Sequence, residues 1–214
     1  SEMCIRDRYN VNHNILDGSE EVISAASCTT NCLAPTVNII EKNIGIVKGY
    51  MTTVHAYTND QAILDVAHKK GINARRGRAG AANIVPSSTG AASALGLVIP
   101  SLNGKLDGGA LRVPTSTGSV VDLTLELSRN TSAEEINKLF IENQNETIKI
   151  TMDPIVSSDI IGSNLGALVD GQLTKVLDVD GKQLVKVVAW YDNEMSYSSQ
   201  MVRTALYIGR LMGK

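Results

Sequence analysis

The stretch CTTNCLAPTVNIIEKNIG, which spans residues 28–45, decides how the chain around it folds. Its apolar side chains recur at spacings of four, three and four from Leu33 to Ile44, as side chains do along one face of a helix. Ser27 precedes the stretch with a hydroxyl that can cap free backbone N–H groups, and Gly45 ends it. The pattern predicts an amphipathic helix of about four turns.

The segments around this helix contain runs of strand patterns. These patterns, in which apolar residues alternate with polar ones or form short runs, predict about seven strands, with a hairpin turn at 180–181. They occur at 20–27, 49–57, 110–114, 119–127, 147–152, 167–169, 174–179 and 183–191. Further helices are expected over 91–99, 132–139 and 195–212, the second of them opened by a capping box from Ser132 to Glu135. Because the strands come in runs, we predict an α+β fold with a mixed or antiparallel sheet and helices on one face.

Composition excludes several classes of protein. The 214 residues carry 20 basic and 22 acidic side chains, and a net charge of −2 gives no reason to expect nucleic acid as the main partner. Apolar residues make up 43% of the chain, which excludes wholesale disorder. No run approaches the ~20 apolar residues of a membrane span. Three cysteines are an odd, low count for a secreted disulfide scaffold, so a reducing cytoplasm is the better interpretation.

Cys28 stands where the first strand pattern gives way to the helix. Unpaired N–H groups and the positive end of the helix dipole favour thiolate over thiol there, and the thiolate is the nucleophile. His55 lies in the next strand, which we expect to run beside the Cys28 strand, so that the two form a nucleophile and its base. Spacing alone leaves open the alternative that Cys28 is a small buried side chain and His55 a satisfied core histidine.

Cys32 follows Cys28 by one helical turn. A disulfide between the two would join only adjacent turns of one helix. No second cluster supplies the remaining ligands of a metal ion, so we predict no metal site.

Three features suggest anionic ligands. Thr29 and Thr30 lie at the helix start, the run 87–90 (Ser-Ser-Thr-Gly) precedes the second helix, and Arg112 lies in a short strand. Residues 66–78 contain no acid but hold five basic side chains: Lys69, Lys70, Arg75, Arg76 and Arg78. These side chains create a local positive field that could serve an anionic ligand. The alternatives are that they belong to a solvated loop or to an RNA-binding patch. The sequence contains neither a Walker motif nor G-x-G-x-x-G.

Six motifs together resemble those of one family. They are SCTTNCLAP at 27–35, HAYTNDQ at 55–61, RAG at 78–80, PSSTGAA at 86–92, LRVP at 111–114 and WYDNE at 190–194. In their order and near-identical spacings they resemble the phosphorylating glyceraldehyde-3-phosphate dehydrogenases, from about Val11 to the C-terminus.

The resemblance implies an oxidoreductase of glycolysis that converts glyceraldehyde 3-phosphate and inorganic phosphate to 1,3-bisphosphoglycerate. Cys28 would attack the aldehyde carbon, and His55 would hold the thiolate, take the hydroxyl proton and steady the oxyanion. Phosphate would then cleave a thioester on Cys28. NAD is the expected hydride acceptor. Val66-Ala67, where NAD-preferring relatives often have Leu-Pro, leaves NADP open.

The same resemblance implies two anion sites. Thr58 and Arg112 would bind the substrate's own phosphate, and Arg78 would lie between the two sites, although Arg75 and Arg76 are close enough in sequence to take its place. The site of the attacking phosphate would be lined by Ser27, Thr29, Thr89 and Gly90.

Two residues near the C-terminus and one loop complete the resemblance. Asn193 is similar to the residue that hydrogen-bonds the nicotinamide amide, with Tyr197 near it. The basic segment from Thr58 to about Asn83 resembles the loop between subunits of the family's homotetramer, so its charge is expected to serve anionic ligands rather than nucleic acid. The resemblance also implies a cytoplasmic enzyme without membrane contact.

Family members carry a Rossmann domain before the catalytic cysteine, whereas 27 residues precede Cys28 here. We therefore expect residues 1–8 to be a foreign or disordered leader and 9–27 a remnant of the cofactor domain. Residues 28–192 are expected to form the catalytic domain, and 193–214 a helix that would pack on the cofactor domain. Its apolar face would then lack part of its cover: Met201, Ala205, Ile208 and Met212. Such a chain alone is expected to be poorly active.

Three other functions are weighed against this one. An erythrose-4-phosphate dehydrogenase shares the cysteine–histidine chemistry but ends by hydrolysis. In a hydrolase of papain type, Arg112 and Thr89-Gly90 would have no role. A truncated chain could also act only as a binding module, with a cysteine of ordinary reactivity.

Overall fold

The computed structural model describes residues 5–6, 9–64 and 66–213, and these form ten strands and four α-helices. The strands are β1 (Ile5–Arg6), β2 (Ile23–Ser24), β3 (Ile46–Ala56), β4 (Val85–Ser88), β5 (Leu106–Val113), β6 (Ser119–Leu127), β7 (Ile148–Thr151), β8 (Ala167–Asp170), β9 (Lys175–Val179) and β10 (Lys182–Tyr191). The helices are α1 (Cys28–Asn43), α2 (Ala91–Val98), α3 (Ala133–Glu142) and α4 (Met195–Leu211). Most of the expected leader, residues 1–8, lies outside the described residues.

Eight of the strands form one sheet in the order β4-β5-β3-β6-β10-β8-β7, with β9 also paired to β10. The pairs β3–β5 and β7–β8 are parallel and the other neighbours antiparallel. The predicted α+β fold with a mixed sheet is confirmed, with eight strands in the sheet where about seven were expected. β1 and β2 form a separate parallel pair.

Helix α1 is the centre of the helical layer. Its apolar face is fully buried at Leu33, Val37 and Ile40, and the helix packs on β8 and β10 while touching the other three helices. The sequence prediction of this helix, from its start after Ser27 to its end before Gly45, is confirmed. Because α1 lies across the sheet, side chains on the covered face of the strands meet it.

Strand β3 shows how the sheet presents residues to that layer. Met51, Thr53 and His55 are buried on the helix-covered face, while Tyr50 on the opposite face is 54% exposed. This two-residue alternation is the ordinary period of a strand with one solvated face. It places His55 beneath α1.

The prediction of a strand over residues 20–27 is mostly wrong. The extended segment is limited to β2, and it pairs with β1 instead of joining the main sheet. Ala26 adopts a left-handed backbone conformation with φ of 51°, which breaks the extended run just before α1.

Helix α4 packs on the body of the molecule through a polar face made of Ser196, Gln200 and Thr204. Outside this face α4 carries exposed apolar side chains, among them Met201 and Met212 of the face that the sequence predicted. Within the described residues, none of the helices combines the length and apolar character that a bilayer crossing demands.

Candidate active site

Cys28 and His55 lie side by side although 27 residues separate them. Cys28 begins α1, which Ser27 caps by accepting a hydrogen bond from the N–H of Thr30 at 3.1 Å. His55 is the penultimate residue of β3, and its Nε2 lies 3.4 Å from Sγ of Cys28. The expectation that a Cys28 strand runs beside the His55 strand is wrong, because β2 does not join the sheet that contains β3. The packing of α1 on that sheet makes the contact instead.

The pair opens into a cavity of about 440 Å³. Seven of the residues expected in the site line it: Ser27, Cys28, Thr29, His55, Thr89, Gly90 and Arg112. They come from the start of α1, the end of β3, the end of β5 and the approach to α2. The fold therefore brings together residues from widely separated parts of the chain around one opening.

Burial and the charge of Arg112 shift the pKa values of Cys28 and His55. Burial raises the pKa of the Cys28 thiol, and this outweighs the opposing hydrogen bonds of Thr29 and the charge of Arg112. Burial first, and the positive charge of Arg112 second, lower the pKa of His55 from 6.5 to about 4. Burial therefore opposes the ionisation of both side chains, whereas the helix end at Cys28 favours the thiolate.

Arg112 lies against the other nitrogen of the His55 ring. The two residues are paired across the parallel strands β3 and β5. The Nη1 atom of Arg112 lies 2.7 Å from Nδ1 of His55, 3.0 Å from the carbonyl oxygen of Ala56 and 3.5 Å from the hydroxyl of Thr58. Thr58 and Arg112, both expected to bind the substrate phosphate, are therefore neighbours.

The expected third cation is placed elsewhere. Arg78 is exposed and lines two other cavities, so the structure does not bring it to Cys28. Arg76 acts on the site electrostatically, since its positive charge lowers the pKa of both His55 and Arg112. Arg76 forms an ion pair with Asp60. Of the three arginines considered from the sequence, Arg76 has the electrostatic contact with the site.

The run 87–90 precedes the second helix, as expected. Ser87 and Ser88 lie in β4, and α2 begins at Ala91. The Oγ1 atom of Thr89 accepts a hydrogen bond from the N–H of Ala91 at 3.2 Å. Thr89 and Gly90 thus face the cavity from the turn between the strand and the helix.

Sequence reasoning missed a buried hydroxyl cluster behind the pair. The phenol oxygen of Tyr191 lies 2.9 Å from Oγ1 of Thr29 and 2.9 Å from Oγ1 of Thr53. Its ring meets the His55 ring edge to face, with centroids 5.9 Å apart. Tyr191 therefore ties the start of α1 to β3. Its place in the motif WYDNE was the available signal, but nothing in the sequence indicated its partners.

Asn193 is held firmly at the start of α4. Its Oδ1 accepts hydrogen bonds from the N–H of Gly118 at 3.1 Å and from the hydroxyls of Thr117 and Ser119. Its Nδ2 donates one hydrogen to Glu194 at 3.2 Å, which leaves the second N–H for a ligand. Tyr197, the other expected cofactor residue, is half-buried in the first turn of α4.

Asp192 organises the turn that carries Asn193. Its carboxylate accepts hydrogen bonds from the backbone N–H groups of Gly162, Glu194 and Met195 at 2.8–3.0 Å. Burial raises the pKa of Asp192, but these donors and Thr117 together hold it below its usual value. Across the described part of the chain, no group of three or more His, Cys, Asp and Glu side chains is arranged to hold a metal ion.

Fold and site together define an α+β domain with a cysteine–histidine pair at the opening of a cavity, and comparison with known families shows which family it belongs to. Residues 27–193 match the model described as glyceraldehyde 3-phosphate dehydrogenase, C-terminal domain, and the chain belongs to that family.

Curated relatives that the chain resembles share one name. Glyceraldehyde-3-phosphate dehydrogenase of Streptococcus pyogenes is 60% identical over 203 residues, which cover 95% of this chain and 60% of the relative. The enzyme of Clostridium pasteurianum is 57% identical over 203 residues, with the same coverage of 95% and 60%. The chain spans about 60% of the length of the curated relatives it matches.

Proposed function

We propose that this chain carries the acyl-transfer centre of a phosphorylating glyceraldehyde-3-phosphate dehydrogenase, which oxidises glyceraldehyde 3-phosphate and conserves the energy as an acyl phosphate. The observation that carries the proposal is the contact of 3.4 Å between Sγ of Cys28 and Nε2 of His55 at the opening of a cavity that Arg112 also lines. A thiol beside an imidazole is a nucleophile with its base. The guanidinium of Arg112 gives the same opening a site for a phosphate group.

The first half of the reaction forms a covalent intermediate on the cysteine. The Cys28 thiol gives its proton to Nε2 of His55 as the sulfur bonds to the aldehyde carbon. Protonated His55 returns this proton to the new alkoxide, so that a hemithioacetal with a hydroxyl forms. The neutral ring then deprotonates that hydroxyl as the hydride leaves the carbon for the acceptor, which gives a thioester on Cys28. Arg112 and Thr58 would hold the substrate's own phosphate, so that the aldehyde carbon is kept near the sulfur.

The second half of the reaction releases the product. Inorganic phosphate attacks the thioester carbon, and the carbon–sulfur bond breaks to give the acyl phosphate and free Cys28. Ser27, Thr29, Thr89 and Gly90 line the cavity on the side of α1 and α2 and would hold this phosphate by hydroxyl and backbone N–H groups. Arg76, rather than Arg78, is the second cation that we assign to the anion sites, because its charge acts on His55 and Arg112.

The hydride acceptor would be a nicotinamide, for which NAD is the proposed form. Asn193 would hold its carboxamide through the free N–H of Nδ2. Ser119 joins this residue to the catalytic strand, because its hydroxyl donates to Asn193 at 3.2 Å and accepts from the N–H of Ala56 at 3.1 Å. Tyr197 would lie beside the bound nicotinamide. The orientation of the acceptor is thereby tied to the backbone next to His55.

The organisation of the whole enzyme is part of the proposal. Residues 9–27 would belong to the end of a cofactor domain, 28–192 to the catalytic domain, and α4 would pack on the cofactor domain by its exposed apolar face. The segment 58–83 would lie between subunits of a homotetramer that works in the cytoplasm. Erythrose-4-phosphate dehydrogenase is the alternative, because the cysteine–histidine pair serves both reactions.

Two assays test the function. The reverse of the phosphate step needs no cofactor: acetyl phosphate should transfer its acetyl group to Cys28, releasing phosphate, and peptide mass spectrometry should find the thioester on that residue. The Cys28→Ala variant should show none. Formation of reduced cofactor should then require both glyceraldehyde 3-phosphate and inorganic phosphate. Turnover with erythrose 4-phosphate that ignores phosphate would favour the alternative, and acetylation elsewhere in the chain would contradict both.

A further inference from the structure

The side-chain hydroxyl of Ser27 makes two contacts, and both are with Thr30. Its Oγ accepts a hydrogen bond from the N–H of Thr30 at 3.1 Å and lies 2.7 Å from Oγ1 of the same residue. Ser27 is exposed and lines the cavity beside Cys28. The hydroxyl that donates in the contact of 2.7 Å therefore decides whether Ser27 keeps a hydrogen for a ligand.

The surroundings of Thr30 favour one direction of that bond. A hydroxyl carries one hydrogen and two lone pairs. The Thr30 side chain is 1% exposed, and among the described residues its hydroxyl has the Ser27 oxygen as its one acceptor. If Ser27 donated instead, the Thr30 hydrogen would be buried without an acceptor, which is costly. Thr30 is therefore the donor.

This direction leaves Ser27 as a donor toward the cavity. One lone pair of its oxygen takes the N–H of Thr30 and the other takes the O–H of Thr30, so the Ser27 hydrogen points away from both. The bond that Ser27 accepts also polarises its own O–H and strengthens it as a donor. A group that can only donate suits an anion, whose oxygens only accept.

The backbone that carries Ser27 is held from α1 as well. The side-chain amide of Asn31 donates to the carbonyl oxygen of Ala25 at 2.8 Å and to that of Ser27 at 2.9 Å. These two bonds bracket Ala26, whose φ of 51° is left-handed. Both the hydroxyl and the backbone of Ser27 are thereby fixed relative to Cys28, the next residue.

The other two hydroxyls expected at the attacking phosphate are held differently. Oγ1 of Thr29 lies 2.9 Å from the phenol oxygen of Tyr191, on the side away from the opening. Oγ1 of Thr89 accepts one hydrogen bond, from the N–H of Ala91, and so keeps a lone pair as well as its hydrogen. Of these three hydroxyls, Ser27 is the one whose two lone pairs are both occupied before a ligand arrives.

We propose that Thr30 is a positioning residue for the phosphate step, which holds the Ser27 hydroxyl as a hydrogen-bond donor to the attacking phosphate. The inference rests on the proposed function, since that function puts inorganic phosphate beside Ser27. In that step a phosphate oxygen bonds to the thioester carbon, and the carbon–sulfur bond breaks with its electron pair left on the sulfur. Thr30 acts through Ser27 because its own side chain is buried.

Release of an acetyl group from Cys28 tests the inference on the 214-residue chain. The chain is acetylated with acetyl phosphate, freed of the reagent and mixed with increasing inorganic phosphate, which should remove the acetyl group as acetyl phosphate. Mass spectrometry gives the rate at each phosphate concentration, after subtraction of the rate in phosphate-free buffer. The curve yields a half-saturating phosphate concentration and a limiting rate.

Thr30→Val removes the hydroxyl and keeps the shape of the side chain. The half-saturating phosphate concentration should rise at least about threefold, because the released Ser27 hydroxyl is shared among three staggered positions. The limiting rate should stay that of the wild type, and Thr30→Ser should restore the wild-type curve. A half-saturating concentration that falls in Thr30→Val would mean that Ser27 donates to Thr30. That result overturns the inference, and so does an unchanged concentration.

Thr36→Val is the matched control, because Thr36 also buries a hydroxyl in α1 but donates it to the carbonyl oxygen of Cys32 at 2.8 Å. Its curve should equal that of the wild type. Ser27→Ala should raise the half-saturating concentration about tenfold, the size of one lost hydrogen bond to a charged group. Adding Thr30→Val to Ser27→Ala should change nothing further. An equal shift in Thr36→Val, or a further shift in the double variant, overturns the inference.

Phosphate binding without chemistry separates this inference from the proposed function. Backbone amide NMR signals of Cys28 and Thr29 follow phosphate binding to the unacetylated chain, and Thr30→Val should weaken that binding by the same factor. A chain that takes up no acetyl group but shows this difference in binding counts against the proposed function alone. Acetyl transfer to phosphate with one and the same curve for the wild type and Thr30→Val counts against this inference alone.

Discussion

The Sγ atom of Cys28 lies 3.4 Å from Nε2 of His55, and this contact joins the first residue of a helix to the end of a central strand. Replacing His55 by Gln removes the base. In sulfate buffer at pH 7, iodoacetamide should alkylate Cys28 about a hundredfold more slowly in His55→Gln than in the wild type, the size typical of a lost general base. Peptide mass spectrometry gives the rate at each cysteine.

The matched control is His68→Gln, which changes a histidine that lines a different cavity. Its alkylation rate at Cys28 should equal that of the wild type. Equal rates in the wild type and in His55→Gln would mean that the imidazole does not activate the sulfur.

Stability should fall in mild acid because His55 resists protonation in the folded chain. Its pKa is lowered from 6.5 to about 4 by burial and by Arg112. Below pH 6.5 the unfolded chain binds a proton that the folded chain does not bind until pH 4. The contribution of His55 to the free energy of unfolding should therefore drop by about 3 kcal/mol as the pH falls through that window.

Urea unfolding at pH 7 and pH 5 measures the effect. The wild type should lose about 2 kcal/mol more than His55→Gln over this interval. His68→Gln should lose as much as the wild type. A pH dependence unaltered by His55→Gln would assign the acid sensitivity to other groups.

Tyr191→Phe removes one hydroxyl from the cluster behind the active site. The change breaks the contacts of 2.9 Å to Thr29 and Thr53 and leaves the Thr29 hydroxyl short of a partner. We expect a loss of about 2 kcal/mol in the free energy of unfolding, from two net hydrogen bonds in a buried place. Urea titration provides the measurement.

Tyr50→Phe is the control for this substitution, because Tyr50 is 54% exposed on the uncovered face of the sheet. Its unfolding midpoint should stay within error of the wild type. The hydroxyl cluster would have no energetic role if the two tyrosine variants were equally stable.

Two adjacent glycines of β5 should respond in opposite ways to alanine. A Cβ on Gly108 would collide with the backbone oxygen and side chain of Met51 in β3, whereas a Cβ on Gly109 would meet nothing within 4 Å. Gly108→Ala should cost about 2 kcal/mol or more by overpacking. Gly109→Ala should be neutral or stabilising by up to about 1 kcal/mol, because it restricts the unfolded chain.

Thermal unfolding of the two variants checks this pair. Gly108→Ala should also slow the acetylation of Cys28, because β3 and β5 carry His55 and Arg112. If both variants unfold at the same temperature, the close approach of β5 to β3 does not limit stability.

Patterns set by neighbouring residues were predictable from the sequence. Helix α1 followed from its apolar spacing. The turn between β9 and β10 followed from Asp180-Gly181, whose φ values of 54° and 74° are those that such a pair adopts in a two-residue hairpin. Half of the capping box predicted at α3 is present. Ser132 accepts a hydrogen bond from the N–H of Glu135, but the Glu135 carboxylate accepts from Arg129 at 2.6 Å and from Thr131 instead of reaching back to Ser132.

Features set by tertiary packing were not predictable in this way. Motif resemblance named Arg112 as an anion ligand, yet only the parallel pairing of β3 with β5 puts its guanidinium on the His55 ring. The helix end favours a thiolate at Cys28, whereas burial raises the pKa of its thiol, and the sequence alone does not report how much of the residue the fold covers. Arg76 and Arg78 are two residues apart, and only the folded loop decides which one acts on the site.

The register of the central strands has a consequence for how the chain tolerates length changes. His55 lies opposite Arg112, and both point to the covered side only while β3 and β5 keep that alignment. One residue inserted within β3 after Thr53 would turn the imidazole toward solvent, because successive side chains alternate between faces. One residue inserted at the 180–181 turn would leave the imidazole in place. Single-residue insertions should therefore inactivate the protein when placed in strand interiors and be tolerated in the β9–β10 hairpin.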